Sequence, residues 1–155
     1  MIQRIQTIYL LVAFIASVLI FFFPLATYLS DLAYIKFWVY DIQDMVPSNE
    51  PLYGFLFNLP FIIICALIIF LIIFTIFKYK KRLLQMRLVN FAILLDIVMV
   101  VLMFFYTDKI SKDVAVDTKY EIGSVFPLIA LVFLVLALRG IRKDEKLVRS
   151  ADRLR

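Results

Sequence analysis

The chain has 155 residues, 65% of them hydrophobic, with a mean hydropathy of +0.99 and a net charge of +5. No soluble domain of this size has a core large enough to hide that much apolar surface, so lipid must act as solvent for much of the molecule. Histidine is absent and Cys65 is the single cysteine, which removes the commonest general base and metal ligand and leaves no thiol cluster or intramolecular disulfide. No metal and no cofactor is expected, and most enzyme classes are set aside before any motif is sought.

Four apolar runs approach the roughly 20 residues needed to cross a hydrocarbon layer of about 30 Å. They predict an all-α membrane protein, a four-transmembrane-helix bundle with spans at about 5–26, 55–77, 86–106 and 122–140. In the first, the apolar run from Ile8 to Leu25 is longer than the core of a signal peptide and continues into Pro24, so it reads as a retained helix. Ala13, Ala16 and Ser17 share one of its faces, and small residues of this kind let a second helix approach closely in lipid.

The following loop carries Asp31, Asp41, Asp44 and Glu50 against Lys36. Within it, Tyr34 to Ile42 is rich in aromatic and β-branched residues, which predicts a short strand or hairpin lying on the bundle. Met45 to Pro51 reads as a turn. Trp38, Tyr34 and Tyr40 are expected as interfacial anchors, since aromatic rings collect where apolar and wet surroundings meet. The second run, Phe55 to Phe77, has Pro60 near its start, where the missing backbone donor costs little.

A basic hinge then carries Lys78, Lys80, Lys81, Arg82 and Arg87 with no acidic residue, as short cytoplasmic loops do. The third run holds Asp96 near its middle. A charge there costs on the order of 2.5 to 3.5 kcal/mol, so Asp96 should face the bundle interior. Arg87 is about 13 Å away along the helix, too far to pair, and the side chain is expected as a neutral acid. If the helices cross at similar depths, Ser17, Cys65 and Asp96 meet near the midplane. Two readings follow: a proton- or ion-coupled site, or a neutral carboxyl hydrogen-bonded to a facing helix or to a partner subunit.

Thr107 to Glu121 is polar with balanced charge and reads as a solvated connection. The last run leads straight into the tail 141–155, where Leu147, Ala151 and Leu154 share a helical face with Val148 beside it, and Arg142, Lys143, Lys146, Arg149 and Arg153 cover much of the rest. Arg4, the hinge, Arg139 and the tail hold thirteen of the basic residues, against four in the two intervening loops. That imbalance predicts both termini in the cytoplasm and an amphipathic C-terminal helix on the inner face.

MIQRIQTIYLL at the start, FFFPLA closing the first run, KKRLLQMRLVN at the hinge and RKDEKLVRSADRLR at the end resemble the Bacteroidota four-helix membrane proteins of the domain-of-unknown-function 4293 family. The resemblance implies a multi-pass protein of the bacterial inner membrane and carries no activity and no site residues. The expectation is a non-enzymatic accessory or scaffold subunit. Its partners are the phospholipid bilayer and a membrane protein or a second copy, met through the helix faces and the basic tail. The rival is a small ion- or proton-coupled transporter or channel built on Asp96. A lipid-modifying enzyme has only Asn58, Gln85, Arg87 and Asn90 to draw on, too scattered for a site. The basic face could also meet ribosomal RNA, but nothing selects nucleic acid over phospholipid.

Overall fold

The computed structural model describes residues 3–29, 34–45, 53–78 and 81–152. Four α-helices, α1 (Gln3–Leu19), α2 (Leu59–Phe77), α3 (Arg82–Val114) and α4 (Val125–Asp152), carry most of the chain. At one end of the bundle they are joined by four short strands: β1 (Ala26–Leu29), β2 (Tyr34–Phe37), β3 (Ile42–Asp44) and β4 (Lys119–Tyr120). The sheet is antiparallel throughout, in the order β3-β2-β1-β4.

At a rise of about 1.5 Å per residue, α2 is about 28 Å long, α3 about 50 Å and α4 about 42 Å. These three are long and apolar enough to cross a membrane; the apolar part of α1, Ile5–Leu19, is shorter. The outward faces are apolar too. Ile5, Ile8, Leu11 and Ile15 on α1, and Phe91, Leu94, Ile97 and Val101 on α3, are all at least 45% exposed, at helical spacing. A surface of this kind is stable only against lipid or another apolar partner.

The predicted hairpin is present as β2 and β3, with the Trp38 N–H donating to the Asp41 carbonyl across the turn at 2.8 Å. It belongs to a larger sheet than the sequence suggested, and two expectations change with it. The first span, expected to run to about residue 26, stops being helical at Leu19, and Ala26–Leu29 forms the strand that pairs with both β2 and β4. Pro24 disfavours helical backbone at Phe23, and an apolar strand following an apolar helix looks like one run by composition. The expected solvated connection at 107–121 is instead helix as far as Val114 and then strand β4. Met103, Thr107 and Ile110 are each no more than 1% exposed, so the inward stripe of α3 continues through residues that look polar on average. The helix ends where Ala115 adopts a left-handed φ of 56° and its N–H bonds to the Ser111 carbonyl. The turn expected at Met45 to Pro51 falls almost wholly outside the described residues.

The sheet packs its inner face on the helix ends. Tyr28, Ile35, Phe37 and Val39 are fully buried, and Phe37 stacks on Tyr106 with ring centroids 6.3 Å apart. Tyrosine hydroxyls then tie strand to helix and helix to loop: Tyr28 Oη donates to the Thr107 carbonyl at 3.1 Å and Tyr106 Oη to the Phe57 carbonyl at 2.9 Å. At Gly123 an added Cβ would lie 2.2 Å from the Pro24 carbonyl oxygen and 2.7 Å from that of Phe23, so only glycine fits where α4 begins beneath the end of α1. Trp38 is half-buried beside Tyr40, with ring centroids 5.9 Å apart.

Candidate functional site

The start of α1, the end of α4 and the α2–α3 turn come together at the end of the bundle opposite the sheet. On α4 the inward stripe runs through Leu134, Ala137 and Ile141, all buried, and one turn later reaches Asp144, which is 6% exposed. Gln6 of α1 donates its side-chain amide to Asp144 Oδ2. Asp144 Oδ1 is buried with no hydrogen-bond partner among the described residues. The two helices are close here because Gly140 lies against Gln6: an added Cβ would be 3.0 Å from Gln6 Cγ. Across the bundle, Gln85 Nε2 of α3 donates to the Thr75 carbonyl in the last turn of α2 at 3.3 Å. One side-chain contact thus fixes the end of α4 and another fixes the start of α3.

Around this inner pairing the charges point outward. Arg142, Lys143 and Lys146 are exposed, as are Lys78, Lys81 and Arg87, with Arg82 half-buried. Lys78 Nζ lies over the Phe74 ring, 5.1 Å from its centroid. Leu147 and Val148, 48% and 40% exposed, continue the inward stripe past the point where Asp144 meets Gln6. Arg149 and Ala151 lie within α4, but their side chains are outside the described set, and Lys80, Arg153 and Leu154 fall outside the described residues altogether. Between the first turn of α3 and this part of α4 lies a cavity of about 240 Å³ lined by Leu83, Met86, Arg142, Glu145 and Lys146. Chemically the arrangement is an apolar groove lined by two basic residues, Arg142 and Lys146, with Glu145 between them in sequence.

Ser17, Cys65 and Asp96 also come together. Cys65 Sγ lies 3.9 Å from the Ser17 carbonyl oxygen, and Cys65 and Asp96 are near enough to interact electrostatically. The Ser17 hydroxyl, however, donates back to the Ala13 carbonyl of its own helix at 2.9 Å. Asp96 is 1% exposed, so it faces the interior of this chain and is not presented to a partner subunit's helix. Its Oδ2 has no hydrogen-bond partner among the described residues. No group of three or more His, Cys, Asp or Glu able to hold a metal ion occurs among the described residues.

At the sheet end, burial pushes the Tyr28 phenol up to about 12, with the Thr118 hydroxyl acting the other way. Tyr53 is raised further, first by burial and then by the Asp113 carboxylate that its hydroxyl contacts. Both phenols are hydrogen-bonded, Tyr28 to the Thr107 carbonyl and Tyr53 to Asp113, which suits a structural latch.

Reading the tail as an amphipathic helix on the inner face picked out neither Asp144 nor its contact with Gln6. Asp144 stands three residues after Ile141, which itself follows Ala137 by four, so the helical stripe pointed to it. The groove gave no such signal, since its two walls are far apart in the chain. Neither the curated proteins nor the solved structures contain a match to this chain. The family model for the domain of unknown function DUF4293 matches residues 2–154, nearly the whole chain, and the protein belongs to that family.

Proposed function

We propose that this chain is a non-enzymatic accessory or scaffold subunit of the bacterial inner membrane that crosses the bilayer four times, with both termini in the cytoplasm, and docks a membrane-protein partner or a second copy of itself. The outward apolar faces of all four helices support the embedding, α1 included. Orientation is supported by the gathering of the hinge, the start of α1 and the end of α4 at one end, since Lys78, Lys81, Arg82, Arg87, Arg142, Lys143 and Lys146 belong to these segments. The observation that carries the docking is the end of α4. It leaves the bundle as continuous helix, is fixed by Gln6 against Asp144, and displays Leu147 and Val148 beside Arg142, Lys143 and Lys146.

A pre-positioned apolar face with a basic flank loses little conformational freedom on binding, so it suits docking better than a mobile tail would. Tagged purification in mild detergent tests the reading. A partner or second copy should co-purify with the parent chain and be lost from a Leu147→Ser/Val148→Ser variant that still folds. A chain that purifies alone as a monomer, with an unaltered phenotype for that variant, overturns it.

The unpartnered Oδ2 of Asp96 favours a second reading, a small transporter or channel that moves a proton or cation past that side chain. Reconstituted vesicles would show a proton or cation flux that Asp96→Asn abolishes. Equal flux with and without the substitution, and an unchanged fold, would remove it.

A further inference from the structure

We propose that the groove between α3 and α4 is a discrete site for one anionic glycerophospholipid, with its phosphate held between Arg142 and Lys146 and the first part of its chains lying on Leu83 and Met86. The site rests on the membrane embedding and orientation given above, and it is separate from the docking of a protein partner on Leu147 and Val148. General attraction of a basic face to an anionic surface needs no particular place. This groove supplies one.

Arg142 and Lys146 are four residues apart on α4, so they share one side of the helix, and both line the groove. A guanidinium offers paired donors to phosphate oxygens and an ammonium adds a compact charge, a combination well matched to a phosphodiester. The walls are otherwise apolar, with Leu83 53% exposed and Met86 half-buried. A free inorganic anion would leave that apolar surface uncovered, whereas the glycerol and upper chains of a lipid would cover it.

Size and depth agree. A volume of about 240 Å³ is below the roughly 300 to 1,000 Å³ of pockets that enclose a whole drug-sized ligand. It therefore fits part of a molecule whose remainder lies in the bilayer. The groove also sits at the level where the apolar stretch of α4 gives way to charge at Arg139, and where α3 begins its own apolar course after Arg87. That is the headgroup level of the proposed inner leaflet. Glu145 lines the groove as well, but it is half-buried and engaged within the chain. Two exposed cations set the sign of the rim.

The test uses the full chain in nonionic detergent and native mass spectrometry, with phosphatidylglycerol as probe and phosphatidylcholine and phosphatidylethanolamine as zwitterionic controls. One phosphatidylglycerol per chain should be retained at least tenfold better than either control. Arg142→Ala/Lys146→Ala should remove that preference. Leu83→Trp, an exposed position that fills the groove and leaves the charge unchanged, should also lower retention at least tenfold. Lys143→Ala, which removes an exposed charge from the same turn of helix but does not line the groove, should leave retention within twofold. Equal retention of all three lipids, no effect of Leu83→Trp in a folded chain, or a loss with Lys143→Ala equal to that of the double variant would each overturn the site. Failure of a protein partner to co-purify bears only on the docking reading, because the lipid measurement needs no partner.

Discussion

At the sheet end, the bundle is closed by backbone: four strands share a ladder, Glu121 N–H reaches the Leu25 carbonyl, Gly123 N–H reaches Pro24, and two tyrosine hydroxyls donate to main-chain carbonyls. At the basic end, side chains do the closing. Gln6 meets Asp144, Gln85 meets the Thr75 carbonyl, and a groove is left between α3 and α4. Backbone closure tolerates many side chains but fixes geometry. Side-chain closure depends on a few identities and leaves the surrounding charges available to other molecules. The difference gives structural closure to one end, while the proposals above place recognition at the other.

The largest effect should come from breaking the closed end. Gly123→Ala drives a Cβ against two carbonyl oxygens that cannot move independently of the backbone. A loss of about 3 kcal/mol is expected, seen as a lower unfolding midpoint in detergent. A midpoint equal to that of the parent would mean that α4 does not begin beneath Pro24 as described.

Next comes the basic end. Gln6→Ala leaves the buried Asp144 without the amide that contacts it, a change worth about 1 to 3 kcal/mol. The cost should be local. Hydrogen exchange should speed up over the last two turns of α4 while β1 and β2 amides keep their protection; equal acceleration in the sheet would erase the contrast between the two ends. Replacing both partners together, Gln6→Leu/Asp144→Leu, should recover much of the stability, since no polar group is then left unpaired.

The smallest effect belongs to Tyr28→Phe, which removes one hydrogen bond worth about 1 kcal/mol. It also has a pH signature. The Tyr28 phenol lies at about 12 in the folded chain against an ordinary 10.0, so its contribution is complete below pH 10 and is lost as pH rises through about 12. Alkaline titration followed by tyrosinate absorbance and unfolding should show that loss in the parent and a weaker one in the Phe variant. Identical alkaline profiles would mean that Tyr28 is not the buried latch.

Helix positions and the hairpin between Tyr34 and Asp44 were legible because hydrophobic period and β-branched content are local signals. The extension of α3 was nearly so: Met103, Thr107 and Ile110 keep the period, but averaging over the lysines and aspartates around them hides it. The strand role of Ala26–Leu29 was not legible, because an apolar strand that follows an apolar helix reads as one run, and one of its two partners, Lys119–Tyr120, lies more than ninety residues later. The same holds for the candidate site. Single residues such as Arg142, Lys146 and Asp96 stand out by type, whereas the groove and the Gln6 contact exist only once distant helices are brought side by side.

The antiparallel packing of α1 on α4 has a consequence for biogenesis. Among the described helices, α1 packs most extensively on α4, so a helix made early has its main neighbour made more than a hundred residues later. Until α4 is threaded into the membrane, Gln6 lacks Asp144 and β1 lacks β4. Contacts this distant in sequence are slow to close and leave the nascent chain exposed to misassembly. Completion of the α1 contacts therefore waits on the segment that carries β4 and Asp144, and a chain stopped shortly before Asp144 would leave Gln6 without that contact.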